Sequence, residues 1–183
     1  MIRVQLASMT SIADYAVVSC AFRVLSELDV DLLEANGLLT ERMVIPPFVK
    51  DYDAIPHNAP TDWSEQFDTT TWQMFSAFNG DTRVGGAIVI PRATDGERVR
   101  AAELWDFRVA PSARGSGIGR TLFEAVTKWC GELDRDSLLI ETQHNNVVAS
   151  RFYRANGCVV QSITRQAYPS IPDEARIIWR RDL

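Results

Sequence analysis

Residues Glu103 to Val126, ELWDFRVAPSARGSGIGRTLFEAV, constrain the fold more than any other stretch, because an alternating strand, a glycine-rich turn and an amphipathic helix follow one another without a gap. A period of two puts Leu104, Asp106 and Arg108 on one face of the strand and Trp105, Phe107 and Val109 on the other. Pro111 has no N–H to give and ends the ladder, after which Arg114-Gly115-Ser116-Gly117-Ile118-Gly119 turns into a helix that starts with Arg120 and Thr121. Glycines let a backbone come close to a ligand. The unpaired N–H groups of a first helical turn meet there with the positive end of the helix dipole, and such a point binds phosphate. Arg114 and Arg120 add positive charge at the two ends of the turn. No Lys-Ser or Lys-Thr follows Gly119, so the spacing is neither a P-loop nor a full dinucleotide fingerprint. A tight connection with incidental glycines is the plain alternative.

Around this stretch the chain reads as alternating elements. Arg3 to Ala7 alternates weakly, and Thr10 or Ser11 can cap a helix running through Val24. Leu28 to Thr70 is broken up by Gly37, Pro46-Pro47, Pro56 and Pro60, with a short helix expected around Asp29 to Ala35. A long irregular segment in a compact domain is usually functional or mobile. Trp72 to Phe78 and Arg83 to Ile90 read as a hairpin turned at Asn79-Gly80-Asp81, and Gly85-Gly86 marks a bulge or a close backbone approach. A polar loop covers 93–100. The helix after Gly119 runs to about Leu133, Ser137 to Gln143 is a strand, and Asn146 to Asn156 is a helix with Val147, Val148, Phe152 and Tyr153 inward and Gly157 at its end. Strands near Cys158 to Ala167 and Arg176 to Arg180 flank a loop, Tyr168 to Pro172. This order predicts one domain over 1–183 of the α/β or α+β class, layered on a mixed sheet.

Composition bounds the function. With 183 residues, 46% of them hydrophobic, the chain can bury one good core. Its start lacks a basic region followed by an apolar run, and no stretch approaches a membrane span, so a cytoplasmic protein without membrane contact is expected. Cys20, Cys130 and Cys158 are expected as reduced, buried thiols; with His57 and His144 they match no usual zinc spacing, and no metal is expected. A formal charge of −5 speaks against a nucleic-acid partner. From Leu28 to Thr70 nine acids stand against Arg42 and Lys50, a balance of −7, which is either a solvated surface or a wall that draws a cationic substrate. Phe48, Tyr52 and Trp63 among those acids either anchor the segment or face an ammonium group.

Glu141-Thr142-Gln143, Asn146, Ala149, Phe152-Tyr153 and Gly157 form a second block, ETQ-x-x-N-x-x-A-x-x-F-Y-x-x-x-G. With R-x-x-G-x-G at Arg114 to Gly119, it resembles the GNAT N-acetyltransferase superfamily, and its form is similar to the streptothricin acetyltransferase branch, as are Tyr168, Pro169, Glu174 and Trp179 in the tail. The resemblance covers Trp72 to the C-terminus; Met1 to Thr70 matches only in layout. It implies a mixed, mostly antiparallel central sheet with helices on both faces and a V-shaped splay between the two middle strands. It also implies acetyl-CoA as co-substrate, its pantetheine arm paired along Phe107, Arg108 and Val109, its pyrophosphate on Arg114, Gly115, Ser116, Gly117, Ile118, Gly119 and Arg120, and its amides on Asn146, which also suits an N-cap. Tyr153 would protonate the leaving thiolate, and N–H groups near Val109 would polarise the acetyl carbonyl. Asp106 is the first candidate for the base, with Glu103 and Glu141 as alternatives. The implied activity is acetyl transfer to a primary amine of a small cationic substrate by direct attack in a ternary complex, a streptothricin-like antibiotic being one candidate. A non-catalytic acyl-CoA-binding or regulatory module is the alternative. A homodimer is compatible with all of this.

Overall fold

The computed structural model describes residues 2–91 and 100–183, so the polar loop expected over 93–100 lies outside the described residues except for Arg100. In chain order the strands are β1 Ile2–Ala7, β2 Phe22–Leu28, β3 Glu41–Lys50, β4 Gln73–Asn79, β5 Thr82–Ile90, β6 Ala101–Val109, β7 Ser137–Gln143, β8 Val159–Thr164 and β9 Arg176–Asp182. The helices are α1 Ile12–Ala16, α2 Val30–Asn36, α3 Trp63–Gln66, α4 Ile118–Glu132 and α5 Val147–Ala155. The chain divides into two compact units, one of Met1–Phe22, Asp51–Leu138 and Leu183, the other of Arg23–Lys50 and Leu139–Asp182.

The first unit is an antiparallel sheet in the order β1-β4-β5-β6. Its two faces are covered differently. On one, Phe75 and Phe107 meet Trp129 and Phe123 of α4, with ring centroids 5.7 and 6.2 Å apart. On the other, Tyr15 of α1, Trp63, Trp72, Met74, Ile88 and Ile90 form one buried cluster, with Trp105 packed against it. Alternation predicts Trp105 on the side of Phe107, and this is corrected. Ile88 pairs with Asp106 and Val89 with Leu104, so Trp105 is the extra residue of a β-bulge and the alternation changes phase there. Trp105 therefore stacks 4.9 Å from Trp72, while Phe107 keeps the α4 side.

The hairpin of β4 and β5 turns through Gly80 at φ 60°. The glycine pair beyond it is explained by close approach: a Cβ on Gly86 would lie 2.5 Å from Tyr15 Cε2 and 2.7 Å from the Phe75 carbonyl oxygen. We predict that Gly86→Ala lowers folding stability by about 1–3 kcal/mol through overpacking against backbone that cannot yield. A thermal melt unchanged by the substitution would show that Tyr15 is not seated against this strand.

Two expectations fail in the N-terminal part. The first helix does not reach Val24; α1 ends at Ala16, and β2 follows because Val24, Ser26 and Leu28 are buried while Arg23 and Leu25 are exposed, a period of two. The segment expected to be irregular holds α2, capped by Asp29 accepting from the Leu32 N–H and closed by Gly37 at φ 72°, which bears out the short helix. It also holds ten residues of strand β3 that pass through Pro46-Pro47. Proline is tolerated here because among the described residues β3 pairs only with β2, so the missing N–H groups remove no second ladder.

The second unit carries β2-β3 and, separately, strands in the order β7-β9-β8, with β8 and β9 antiparallel. Trp179 and Ile177 of β9 are fully buried, and the Trp179 indole N–H donates to Thr142 Oγ1 at 3.0 Å. In α5, Val147 and Tyr153 face inward as expected, but Val148 is exposed, since a nine-residue helix buries only one stripe.

Candidate functional site

The strand β6, the turn after it and α4 build one site in the first unit. After the short 3₁₀ turn Pro111–Ala113, Gly115 and Gly117 adopt φ 78° and 86°, where a side chain would strain the backbone, and Ser116 Oγ donates to the Ala113 carbonyl at 2.6 Å. Gly117 is the N-cap of α4. It offers no side chain, and no acid lies in the first turn of this fifteen-residue helix, so its leading N–H groups have no capping side chain. Such a helix start suits an anion. Arg114 is folded back, its Nε donating to the Val109 carbonyl at 2.9 Å, and Arg120 pairs with Glu124 at 2.8 Å on the exposed face of the helix. Partial burial pulls the Arg114 guanidinium down from its usual range.

At the strand end of the site lies a cluster that the sequence reading did not assemble. Arg108 is 2% exposed. Its Nε and Nη2 donate to the two oxygens of Asp106 at 2.8 and 2.7 Å, its Nη1 and Nη2 to the two oxygens of Asp53 at 2.8 and 3.1 Å, and Nη1 also to the Val18 carbonyl at 3.0 Å. The Tyr15 ring lies 4.9 Å from the guanidinium carbon, and the Tyr15 hydroxyl donates to Asp106 in a short hydrogen bond. Burial alone would pull Arg108 down, but Asp106 first and then Tyr15 and Asp53 more than offset it, so the guanidinium stays charged. Burial, reinforced by the Asp106 carboxylate, raises Tyr15 well above its usual range and keeps it a neutral donor. Asp106 thus already accepts three hydrogen bonds. Nothing in the sequence marks Tyr15 or Asp53 as partners; the only hint is that Asp106 and Arg108 sit two apart on one strand.

Beside this cluster Cys20 Sγ donates to Asp51 at 3.4 Å, and Cys20, Asp51 and Asp53 are the one group of possible metal ligands among the described residues, with atoms within 4.8 Å of one another. The donor set is poor for a metal. Burial pushes the Cys20 thiol up to about 12, and Asp53 is committed to Arg108. Cys130 and Cys158 are buried free thiols, each also raised to about 12 by burial, while Cys20 is only half-buried.

The remaining candidates are on other elements. Glu103 is half-buried on β6, opposite Ile90. In the second unit Glu141 is exposed and accepts from the Tyr168 hydroxyl at 2.7 Å, which accepts in turn from Gln143 at 2.9 Å. Asn146 caps α5, its side chain accepting from the Ala149 N–H at 3.2 Å. Tyr153 is 5% exposed and Phe152 is the less buried of the two, so the tyrosine is packed as well as a candidate for the chemistry. A cavity of about 250 Å³ in the same unit has Glu27, Asp31, Arg42, His144, Arg165 and Asp173 in its wall. Its arginines are paired, Arg42 with Asp29 and Arg165 with Asp31 and Glu34. Those pairs also answer the acidic segment. Asp31 and Glu34 pair with Arg165, Glu41 with Arg151 and Asp53 with Arg108, so three arginines from elsewhere in the chain offset part of the −7, while Asp29 pairs with Arg42 inside the segment. No helix among the described residues is long and apolar enough to cross a membrane.

The pattern of the acetyltransferase (GNAT) family matches residues 39–158. Streptothricin acetyltransferase A of Bacillus subtilis is 29% identical over 80 residues, 43% of this chain and 46% of that protein. The chain spans about half the length of the curated relatives it matches. Among solved structures, a Bacillus anthracis chain in complex with acetyl coenzyme A superposes with a TM-score of 0.76 at 19% identity, covering all of both chains. Nourseothricin acetyltransferase gives 0.76 at 21% identity over 99% of this chain and 98% of that one. At these identities the likeness is one of fold.

Proposed function

The chain belongs to the acetyltransferase (GNAT) family, and from that premise we propose that it transfers an acetyl group from acetyl-CoA to a primary amine of a small cationic substrate, by direct attack in a ternary complex. The observation that carries the reading is the N-terminus of α4: a glycine N-cap at φ 86° with no capping side chain and no acid in the first turn, held directly after β6. The pyrophosphate of the co-substrate is assigned to Arg114–Gly119, with Arg120 released from Glu124 to join it, and the pantetheine arm to the backbone of Phe107, Arg108 and Val109. N–H groups near Val109 polarise the thioester carbonyl, and Asn146 keeps its assignment to the pantetheine amides from the family resemblance.

The reaction needs a neutral amine, a place for the oxyanion and a proton for the thiolate. Asp106 is assigned a positioning role: with Arg108 and Tyr15 already on its oxygens it holds an ammonium or orders a water better than it takes a proton. Glu103 and Glu141 remain the alternatives for the base. Tyr153 is assigned as the acid. A thiolate is already a fair leaving group, so Tyr153→Phe should lower kcat only about tenfold while acetyl-CoA affinity holds within about threefold. Unchanged turnover on every accepted amine would remove Tyr153 from the chemistry. A streptothricin-like antibiotic is a candidate acceptor on the strength of the named relatives, and a panel of streptothricin, polyamines and simple primary amines tests the class.

A further inference from the structure

Lys50, the last residue of β3, is buried, and its ammonium pairs with the Glu174 carboxylate and lies 3.5 Å from Asn145 Oδ1. All three residues belong to the second unit. Burial pulls the ammonium down from its usual range while Glu174 pushes it back up. Apolar side chains of the same volume often stabilise a fold as well as such a pair does, so stability alone does not account for it. What the pair reaches is the turn from β7 into α5. His144 donates its N–H to the Ala175 carbonyl at 3.0 Å and accepts the Ala175 N–H on Nδ1 at 3.1 Å, next in the chain to Glu174, and the His144 carbonyl accepts from the Leu28 N–H at 2.9 Å. Asn145 follows, buried beside the Lys50 ammonium. Asn146 closes the turn: its N–H donates to the Gln143 carbonyl at 2.9 Å, and its Oδ1 takes the Ala149 N–H as the cap of α5. The cap uses the oxygen of that amide and leaves its Nδ2 group, which donates to no described residue.

We propose that Lys50, Glu174 and Asn145 are positioning residues, which hold this turn so that Asn146, committed through Oδ1 to its cap, presents Nδ2 to a carbonyl oxygen of the pantetheine arm. The inference rests on the assignment of Asn146 to the pantetheine amides. It concerns affinity for that arm and leaves the pyrophosphate site untouched.

Calorimetry with two probes tests it: acetyl-CoA, and adenosine 3′-phosphate 5′-diphosphate, which carries the pyrophosphate and lacks the pantetheine arm. Asn145→Ala cuts the link and leaves the Lys50–Glu174 pair whole, so it should keep the fold, weaken acetyl-CoA about tenfold, the size of one hydrogen bond lost, and leave the nucleotide within about twofold of wild type. Lys50→Met combined with Glu174→Leu removes both buried charges together and should melt close to the wild type, yet show the same loss for acetyl-CoA alone. A merely structural role would lower the melt and both affinities together, which overturns the inference. In an Asn146→Ala background, Asn145→Ala should change acetyl-CoA affinity by less than about twofold, because its effect passes through Asn146. A folded Asn145→Ala chain that binds acetyl-CoA as the wild type does overturns the inference and leaves the acetyl-transfer reading standing. A wild-type chain that binds neither probe overturns both.

Discussion

Replacing Arg108 by leucine should cost about 3–5 kcal/mol of folding stability, because it leaves two carboxylates near the interior without their counter-charge. The side chain is 1% exposed and holds both Asp106 and Asp53, whose side chains are 17% and 22% exposed, and it also holds the Val18 carbonyl. One guanidinium thus fixes three places on the chain: α1 and the loop after it, the start of the segment that follows β3, and β6 itself. Lysine does not rescue it. A single ammonium cannot make two bidentate pairs, so Arg108→Lys should lose most of the same stability. Asp53→Asn is the control: Asp106 still balances the arginine, and the loss should stay near 1–2 kcal/mol. Urea unfolding at constant slope measures all three. A loss below about 1 kcal/mol for Arg108→Leu would mean that water, not the two aspartates, solvates this arginine.

Gly117→Glu should weaken acetyl-CoA binding about 100-fold. Gly117 sits at φ 86° with nothing within 4 Å of a Cβ placed there, so space is not the obstacle. A side chain in this left-handed conformation costs about 1–2 kcal/mol of folding stability, while a carboxylate at the N-cap would itself occupy the donors that an incoming phosphate needs. The two effects separate cleanly. Gly117→Ala bears the strain without the charge and should bind acetyl-CoA within about threefold of wild type, whereas Gly117→Glu should melt at least as high as Gly117→Ala and bind far more weakly. Calorimetry that gives Gly117→Glu the wild-type affinity would move the anion site off α4.

Much of this was legible in the residues. The strand, turn and helix from Glu103 to Val126 fall where the period of two, Pro111 and the glycines place them, and Ser137 to Gln143 and Asn146 to Gly157 do too, because local pattern and burial agree there. The illegible parts each depend on a distant partner. The bulge at Trp105 comes from the pairing of β6 with β5, and no count along β6 alone reveals that the alternation changes phase. β3 was hidden by Pro46-Pro47, which breaks a strand only if both its edges are used. The ion pairs of the acidic segment from Leu28 to Thr70 are hidden for the same reason, since Arg108, Arg151 and Arg165, which offset part of its charge, lie far along the chain. Nothing local singles out Tyr15 within its helix, and its hydroxyl on Asp106 is a contact across 91 positions.

The most direct test of the central claim is thiol release from acetyl-CoA, followed with the wild-type chain over a panel of primary amines that includes streptothricin and polyamines. The account predicts release that depends on the amine, saturates in both substrates and is lost in Gly117→Glu. Tight binding of acetyl-CoA with no amine-dependent release from any member of the panel would contradict it and leave the chain a module that binds acyl-CoA without turning it over.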